Sequence, residues 1–115
     1  MQLNEVNFGD ALPVEGYGPG FFRVGGQVVD GALLASPTGF GAWDGRVETV
    51  LALRDAVDVV LYGAGADLAH PPSEFRTALE DAGLGVEPMG SASACRTYNV
   101  LLGEGRRVAL VALPV

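Results

Sequence analysis

Lysine is absent from this chain of 115 residues, and cysteine and histidine occur once each. Without lysine the chain can hold neither a Schiff base nor a P-loop, since both depend on a lysine ammonium group. The one cysteine, Cys95, allows no intrachain disulfide bond and no multi-cysteine metal site, and a catalytic triad would require His70. No complete catalytic set is present, so we expect no catalytic residue, no metal ion and no cofactor.

Basic residues are scarce, and the chain has no long apolar segment. The net charge is −7, from 14 acidic residues against 7 basic ones, all of them arginine. This excess of negative charge disfavours contact with a phosphate backbone. No window approaches the roughly 18 apolar residues of a membrane span, and residues 1–5 lack the start of a secretion signal. We expect a cytoplasmic protein that neither binds nucleic acid nor inserts into a membrane.

Hydrophobic residues make up 49% of the chain, which is enough for one small domain to bury its own core. Proline and glycine are dense in residues 1–20, which predicts an irregular arm. Short apolar runs follow, separated by Gly25-Gly26 and Asp30-Gly31, and both dipeptides favour the positive φ of hairpin turns. We therefore predict a single domain over residues 1–115, with an arm over 1–20 and an α/β core over 21–115 that begins with an antiparallel β unit.

The rest of the core alternates between helix and strand patterns. Apolar residues at helical spacing predict helices over about 46–55, from 72 or 73 to 83, and from 91 or 93 to 103 or 105. Nearly continuous apolar runs predict strands over 57–62, 85–89 and 108–113, and residues 37–43 are predicted to form a loop. We predict a three-layer α/β domain whose helices pack on a mixed central sheet, with the strand at 57–62 in its centre.

A glycine turn follows the predicted central strand. In open α/β sheets the backbone N–H groups at such a turn can cradle an anion, which makes Gly63 and Gly65 candidate binding residues. Leu68 stands where a dinucleotide site has its third glycine, so a sharp structural turn is the alternative. Ser91, at the start of the third helix, is either part of a pocket with this turn or a helix cap.

Arg96 and Asn99 lie three residues apart on the third helix and share one predicted face. An arginine can fork to a carboxylate and an asparagine can donate or accept hydrogen bonds, so this face suits recognition of a partner or a small anion. The alternative is a solvated helix face with a local salt bridge.

Cys95 precedes Arg96 near the same helix start. Both the helix N-terminus and the neighbouring arginine lower the pKa of a thiol, which would make Cys95 reactive. The alternative is that Cys95 is a small core residue packed against the sheet.

Trp43 and Phe40 are the large apolar side chains of the predicted loop, and Tyr17 lies in the predicted arm. Exposed together, they would form the kind of aromatic patch that anchors a protein interface. Alternatively, they fold back to close the core at the sheet edge.

Several segments occur in a characteristic order and spacing. They are GFFRV at 20–24, Pro37 followed by Trp43, the 57–62 strand with its turn at 63–65, VEPM at 86–89 followed by ACRTYN at 94–99, and a closing strand at 107–114. Together they resemble a small domain family of unknown biochemical function found across bacteria and archaea. That family includes a mitochondrial respiratory complex I assembly factor and a human adipogenesis-associated protein. The resemblance covers nearly the whole chain from about Tyr17 onward.

The resemblance implies a three-layer α/β domain around a mixed sheet, without established catalytic activity or cofactor. Gly63, Gly65 and residues 96–99 occupy the family's signature positions. The chain departs from the family where Ala64 and Ser91 replace common threonines. The missing hydroxyl at Ala64 weakens a ligand site at the turn.

From the resemblance we expect a non-enzymatic cytoplasmic assembly factor that binds a subunit of a membrane respiratory complex of the complex I type, or another assembly factor. Arg96 and Asn99 would supply polar recognition, and Phe40 and Trp43 would be the apolar anchors. The alternative is a domain that binds a small molecule or anion, or an unrecognised enzyme, with its pocket between the Gly63–Gly65 turn and the third helix. A third possibility is a homo-oligomeric structural module.

Overall fold

The computed structural model describes residues 11–115 and places them in two β-sheets and three helices. Residues 1–10 of the predicted arm lie outside the described residues. Along the described part of the chain the elements are β1 (Val14–Gly18), β2 (Phe21–Val24), β3 (Gln27–Asp30), β4 (Leu33–Ser36), β5 (Gly39–Ala42), α1 (Val47–Leu51), β6 (Val59–Gly63), α2 (Ser73–Asp81), β7 (Gly85–Met89), α3 (Ser91–Gly103) and β8 (Val108–Ala112).

The larger sheet is mixed and has the strand order β5-β4-β8-β6-β7. β6 runs parallel to β7 and β8, whereas β4 runs antiparallel to β5 and β8. The predicted mixed sheet is therefore confirmed, but its middle strand is β8 and β6 lies beside it. All five residues of β8 are buried, as expected for a strand covered on both faces. β7 is an edge strand, a position where Pro88 is tolerated because its missing N–H group is not needed for pairing.

The smaller sheet is the predicted antiparallel unit, with the order β1-β2-β3. Gly25 and Gly26 join β2 to β3 with φ of 59° and 76°, the left-handed conformation that a tight hairpin turn requires. β4 leaves this unit and pairs with β8 instead. β1 lies where the sequence predicted only an irregular arm, because backbone pairing with β2 holds a segment whose glycines carry little β propensity.

Two further local predictions differ from the structure. β5 replaces part of the predicted loop at 37–43, since this glycine-rich edge strand is held by its backbone pairing with β4. α1 ends at Leu51 rather than near residue 55. The Leu53 and Arg54 N–H groups bond to carbonyl groups three residues back, at 2.9 and 3.0 Å, so the chain tightens into turns.

Apolar clusters cover both faces of the larger sheet and give the predicted three layers. On one face α3 and the smaller sheet enclose a core in which Phe22 and Tyr98 are fully buried. On the other face α1 and α2 pack on the sheet, with Val50 and Leu79 fully buried. Successive β6 residues point to opposite faces, so Leu61 belongs to the first core and Tyr62 to the second.

Candidate functional site

The turn after β6 packs directly against the start of α3. The Ser91 side chain is buried there, and its hydroxyl donates to the Leu113 carbonyl oxygen at 2.5 Å and accepts from the Gly65 N–H at 2.9 Å. The Ser91 N–H in turn donates to the Gly65 carbonyl oxygen at 2.8 Å. Ser91 does not cap the helix, since the N-cap residue is Gly90. Ser91 at the start of α3 therefore connects the turn after β6 with the residue that follows β8.

Gly63 and Gly65 allow this close packing. A Cβ atom at Gly63 would lie 2.9 Å from Ser91 Oγ and 3.0 Å from Ser91 Cα, and Gly65 has a φ of 97°. The Ala64 N–H donates to the Met89 carbonyl oxygen at 2.8 Å, and the Gly65 N–H is bound by Ser91. These two amides, which would have to receive an anion, already have protein partners.

Arg96 and Asn99 do not converge in the structure. The Asn99 side chain pairs with the backbone of Val14: Oδ1 accepts from the N–H and Nδ2 donates to the carbonyl oxygen, both at 2.8 Å. Asn99 thus attaches β1 to α3. Arg96 is exposed and donates to Ser93 Oγ at 3.2 Å, within its own helix. Ser91 is buried, and five residues along a helix place Arg96 on a different side from it.

Cys95 is a core residue, as the second of its two interpretations predicted. It is buried against the sheet, and this burial raises the pKa of its thiol to about 11, with the charge of Arg96 opposing the shift. The thiol is protonated at neutral pH and is not a ready nucleophile. Tyr98, one turn further along α3, is also buried, and its hydroxyl has no hydrogen-bond partner among residues 11–115.

The three aromatic residues of the predicted patch are separated. Phe40 packs against the α3 side of the larger sheet and Trp43 against the α1–α2 side. Tyr17 is 43% exposed on β1. They therefore form no single surface, and Trp43 lines a cavity together with two other aromatic rings of the described residues.

That cavity, which we call the aromatic cleft, has a volume of about 420 Å³. The Phe75 ring lies 5.7 Å from Trp43, edge-on at 66°, and 5.7 Å from Tyr62 at 54°, measured between centroids. The cleft is mostly apolar and contains one ionisable carboxyl group; its lining residues are Trp43, Gly45, Val47, Tyr62, Pro72, Glu74 and Phe75.

Hydrogen bonds hold the Trp43 side of the cleft in place. The Trp43 indole N–H donates to the Arg46 carbonyl oxygen at 3.1 Å, and the Trp43 backbone N–H donates to Ala32 at 2.9 Å. Asp44 accepts from the Arg46 N–H at 3.0 Å and from the Thr49 hydroxyl at 2.7 Å. These bonds lower the pKa of Asp44, which is therefore ionised at neutral pH. These hydrogen bonds hold the loop before α1 in place, and the loop forms one side of the aromatic cleft.

Sequence reasoning identified Trp43 but missed the cleft. Tyr62 lies in the predicted strand at 57–62 and Phe75 in the predicted helix that begins at 72 or 73, and the structure confirms both elements. Strand alternation and the Pro72 helix start were usable signals, since they predict which face Tyr62 takes and where α2 begins. The meeting of three distant segments is visible only in the folded chain.

The described residues contain neither a metal-binding cluster nor a membrane-spanning helix. Within residues 11–115 no three histidine, cysteine, aspartate or glutamate side chains are grouped so as to hold a metal ion. Each helix in that part of the chain is too short or too polar to cross a lipid bilayer.

Comparison with known sequences gives a family and two informative relatives. A family model described as a protein of unknown function, DUF498/DUF598, matches residues 14–113. An uncharacterised protein of Rhodobacter capsulatus is 47% identical over 117 residues, which cover 100% of this chain and 94% of that protein. The NADH dehydrogenase [ubiquinone] 1 alpha subcomplex assembly factor 3 of Danio rerio is 28% identical over 107 residues, which cover 85% of this chain and 62% of that protein.

Comparison with solved structures gives the same fold. The crystal structure of an outer membrane protein from Bartonella henselae matches with a TM-score of 0.84 and 31% sequence identity. The match covers 91% of this chain and 96% of that one. The arrangement of sheets and helices described above is therefore shared over nearly the whole chain.

Proposed function

This chain belongs to the DUF498/DUF598 family of proteins of unknown function, and we propose from this premise that it is a non-enzymatic assembly factor. Its partner is a subunit of a membrane respiratory complex of the complex I type, or another assembly factor. The observation that carries the proposal is the similarity over 85% of the chain to the Danio rerio protein, whose name is that of an assembly factor.

The geometry of the candidate residues supports a binding role over a catalytic one. The Ser91 hydroxyl and the Asn99 amide are used in bonds that hold the fold together. The buried Cys95 thiol has a raised pKa, so it lacks the thiolate that a nucleophile needs. The Ser91, Asn99 and Cys95 side chains thus contribute to the stability of the fold, which favours a function carried by the exposed surface.

We propose that the surface acts from the cytoplasm without membrane insertion. Trp43, in the aromatic cleft, is the apolar anchor, and the exposed Arg96 is a polar contact on the opposite side of the sheet. Aromatic and arginine side chains of this kind dominate the binding energy of protein interfaces. Phe40, half-buried on the α3 side, is a lesser contact.

Deleting the gene in the organism that encodes this chain tests the proposal. We expect the amount of assembled NADH:quinone oxidoreductase in the membranes to fall on deletion and to recover with the wild-type gene. Arg96→Ala should recover it only in part, and Arg106→Ala, which changes another exposed arginine, serves as the matched control. An unchanged amount of complex on deletion would exclude this role and favour the ligand-binding alternative.

A further inference from the structure

The aromatic cleft combines an apolar interior with an acidic opening. Tyr62 and Phe75 are only 6% and 8% exposed and form its floor, and Trp43 is half-buried beside Phe75. Glu74 is exposed in the first turn of α2 and lines the same cavity. The volume of about 420 Å³ lies within the range of clefts that take a ligand or a large side chain. A complementary group therefore has to be partly apolar and positively charged.

The charged residues around the cleft also make this surface negative. Asp44 and Glu48 stand on the α1 side, and Glu74 stands on the α2 side. Arg46 and Arg76 are the nearest basic residues along the chain, and each pairs with an acid of its own: Arg46 with Glu48 at 3.6 Å and Arg76 with Glu80 at 3.1 Å. These two ion pairs cancel, and the carboxylates of Asp44 and Glu74, which form no ion pair within residues 11–115, leave this face acidic in a chain whose net charge is −7. Such a surface attracts basic partners and repels acidic ones.

We infer that the aromatic cleft binds an arginine side chain of the partner protein. A guanidinium group is planar, stacks on an aromatic ring and can direct two N–H groups at one carboxylate, whereas an ammonium group has no flat face. The aliphatic part of the arginine side chain would contact Val47 and Pro72, and its head group would lie between the indole of Trp43 and the carboxylate of Glu74. This inference rests on the proposed function in one respect, that the chain binds a protein.

A fluorescence titration tests the assignment directly, because Trp43 is the only tryptophan in the chain. The probes are two tryptophan-free peptides, acetyl-Leu-Arg-Leu-amide and the same peptide with citrulline in place of arginine. Citrulline has nearly the same shape without the charge. We expect a saturable change in Trp43 emission, with the arginine peptide binding about tenfold more tightly. Equal affinity for the two peptides would overturn the inference, and so would an absence of any change.

Two variants on α2 test whether the carboxylate of Glu74 recognises the arginine peptide. Glu74→Gln removes the carboxylate from the cleft, and Asp81→Asn removes one from the other end of the same helix. We expect Glu74→Gln to abolish most of the preference for arginine over citrulline and Asp81→Asn to preserve it. If both variants weaken binding equally, the peptide responds to net charge and not to the cleft. A lysine peptide that binds as tightly as the arginine peptide would also overturn the choice of guanidinium.

Failure of this inference is distinguishable from failure of the assembly role. If gene deletion lowers the assembled complex and Glu74→Gln restores it fully, the assembly role stands and the cleft is not its binding site. If deletion changes nothing while the arginine peptide binds in a Glu74-dependent manner, the cleft is a binding site that serves another partner.

Discussion

Tyr62 and Gly63 are neighbours in β6, yet they face two very different regions of the molecule. Gly63 lies against Ser91 in a turn where the polar groups described above bond to one another and a single methyl group would collide. Tyr62 lies at the floor of a cleft whose rings and carboxylate border open space. The residues with the richest chemistry thus hold this fold together, whereas the proposed recognition surface is built from aromatic residues of separate segments.

The largest loss of stability is expected when a side chain is added at Gly63, in the tightly packed turn after β6. Gly63→Ala places a Cβ atom 2.9 Å from Ser91 Oγ, 3.0 Å from Ser91 Cα and 3.2 Å from Ala94 Cβ. We expect a loss of about 3 kcal/mol in the free energy of unfolding, measured by urea denaturation, because helix and sheet must separate. Gly41→Ala, in the open edge strand β5, is the control and should change stability by less than about 0.5 kcal/mol. Equal effects of the two changes would show that the turn is not tightly packed.

Removing the Ser91 hydroxyl should have the next largest effect. Ser91→Ala leaves the Gly65 N–H and the Leu113 carbonyl oxygen without this partner, and Ser91 is 1% exposed. A loss of about 2 kcal/mol is expected, in keeping with unsatisfied buried groups. Thermal or urea unfolding would measure it, with the half-buried Ser93→Ala as the matched change on the same helix. A cost no greater than that of Ser93→Ala would mean that the hydroxyl is not needed, and the turn could then serve a ligand.

Asn99→Ala should act locally. Without the two 2.8 Å bonds to Val14, β1 keeps its pairing with β2 but loses its attachment to α3. We expect a loss of about 1 kcal/mol and faster hydrogen exchange of the Val14 amide, while amides in β8 exchange at the wild-type rate. If Asn99→Ala instead weakens binding of the partner protein while the Val14 amide exchanges at the wild-type rate, the structural role is contradicted. Asn99 would then contribute to recognition.

The smallest effect on stability is expected in the cleft. Glu74 is exposed near the N-terminus of α2 and has no hydrogen bond or salt bridge within the described residues, so only its interaction with the helix dipole is lost in Glu74→Gln. The free energy of unfolding should fall by less than about 0.5 kcal/mol. A loss as large as that of Ser91→Ala would mean that Glu74 supports the fold, and the contrast between the two regions would disappear.

The spacing of apolar residues along the sequence predicted those helices and strands that bury an apolar face in the core. α2, β7, α3 and β8 lie close to their predicted positions, since their side-chain patterns match the faces that they bury. β1 and β5 were missed because glycine-rich segments carry no such pattern, and long-range backbone pairing decides their structure.

The site was less predictable than the fold for the same physical reason. One of the two alternatives for Ser91 was a pocket shared with the Gly63–Gly65 turn. The structure brings these residues together, but the sequence cannot tell whether a serine hydroxyl faces a cavity or bonds to backbone groups of the fold. Arg96 and Asn99 share a helix face in sequence, whereas in the structure Asn99 is taken up by the backbone of β1. Trp43 was expected beside Phe40, and the sheet separates them.

Whether the aromatic cleft binds the partner during assembly is decided by the amount of assembled NADH:quinone oxidoreductase in membranes. It is measured in a strain whose only copy of this gene carries Glu74→Gln and is compared with Asp81→Asn and wild type. We expect the amount of complex to fall clearly with Glu74→Gln and to stay at the wild-type level with Asp81→Asn, with equal amounts of folded protein in all three strains. Wild-type levels of the complex in the Glu74→Gln strain would contradict this role of the cleft.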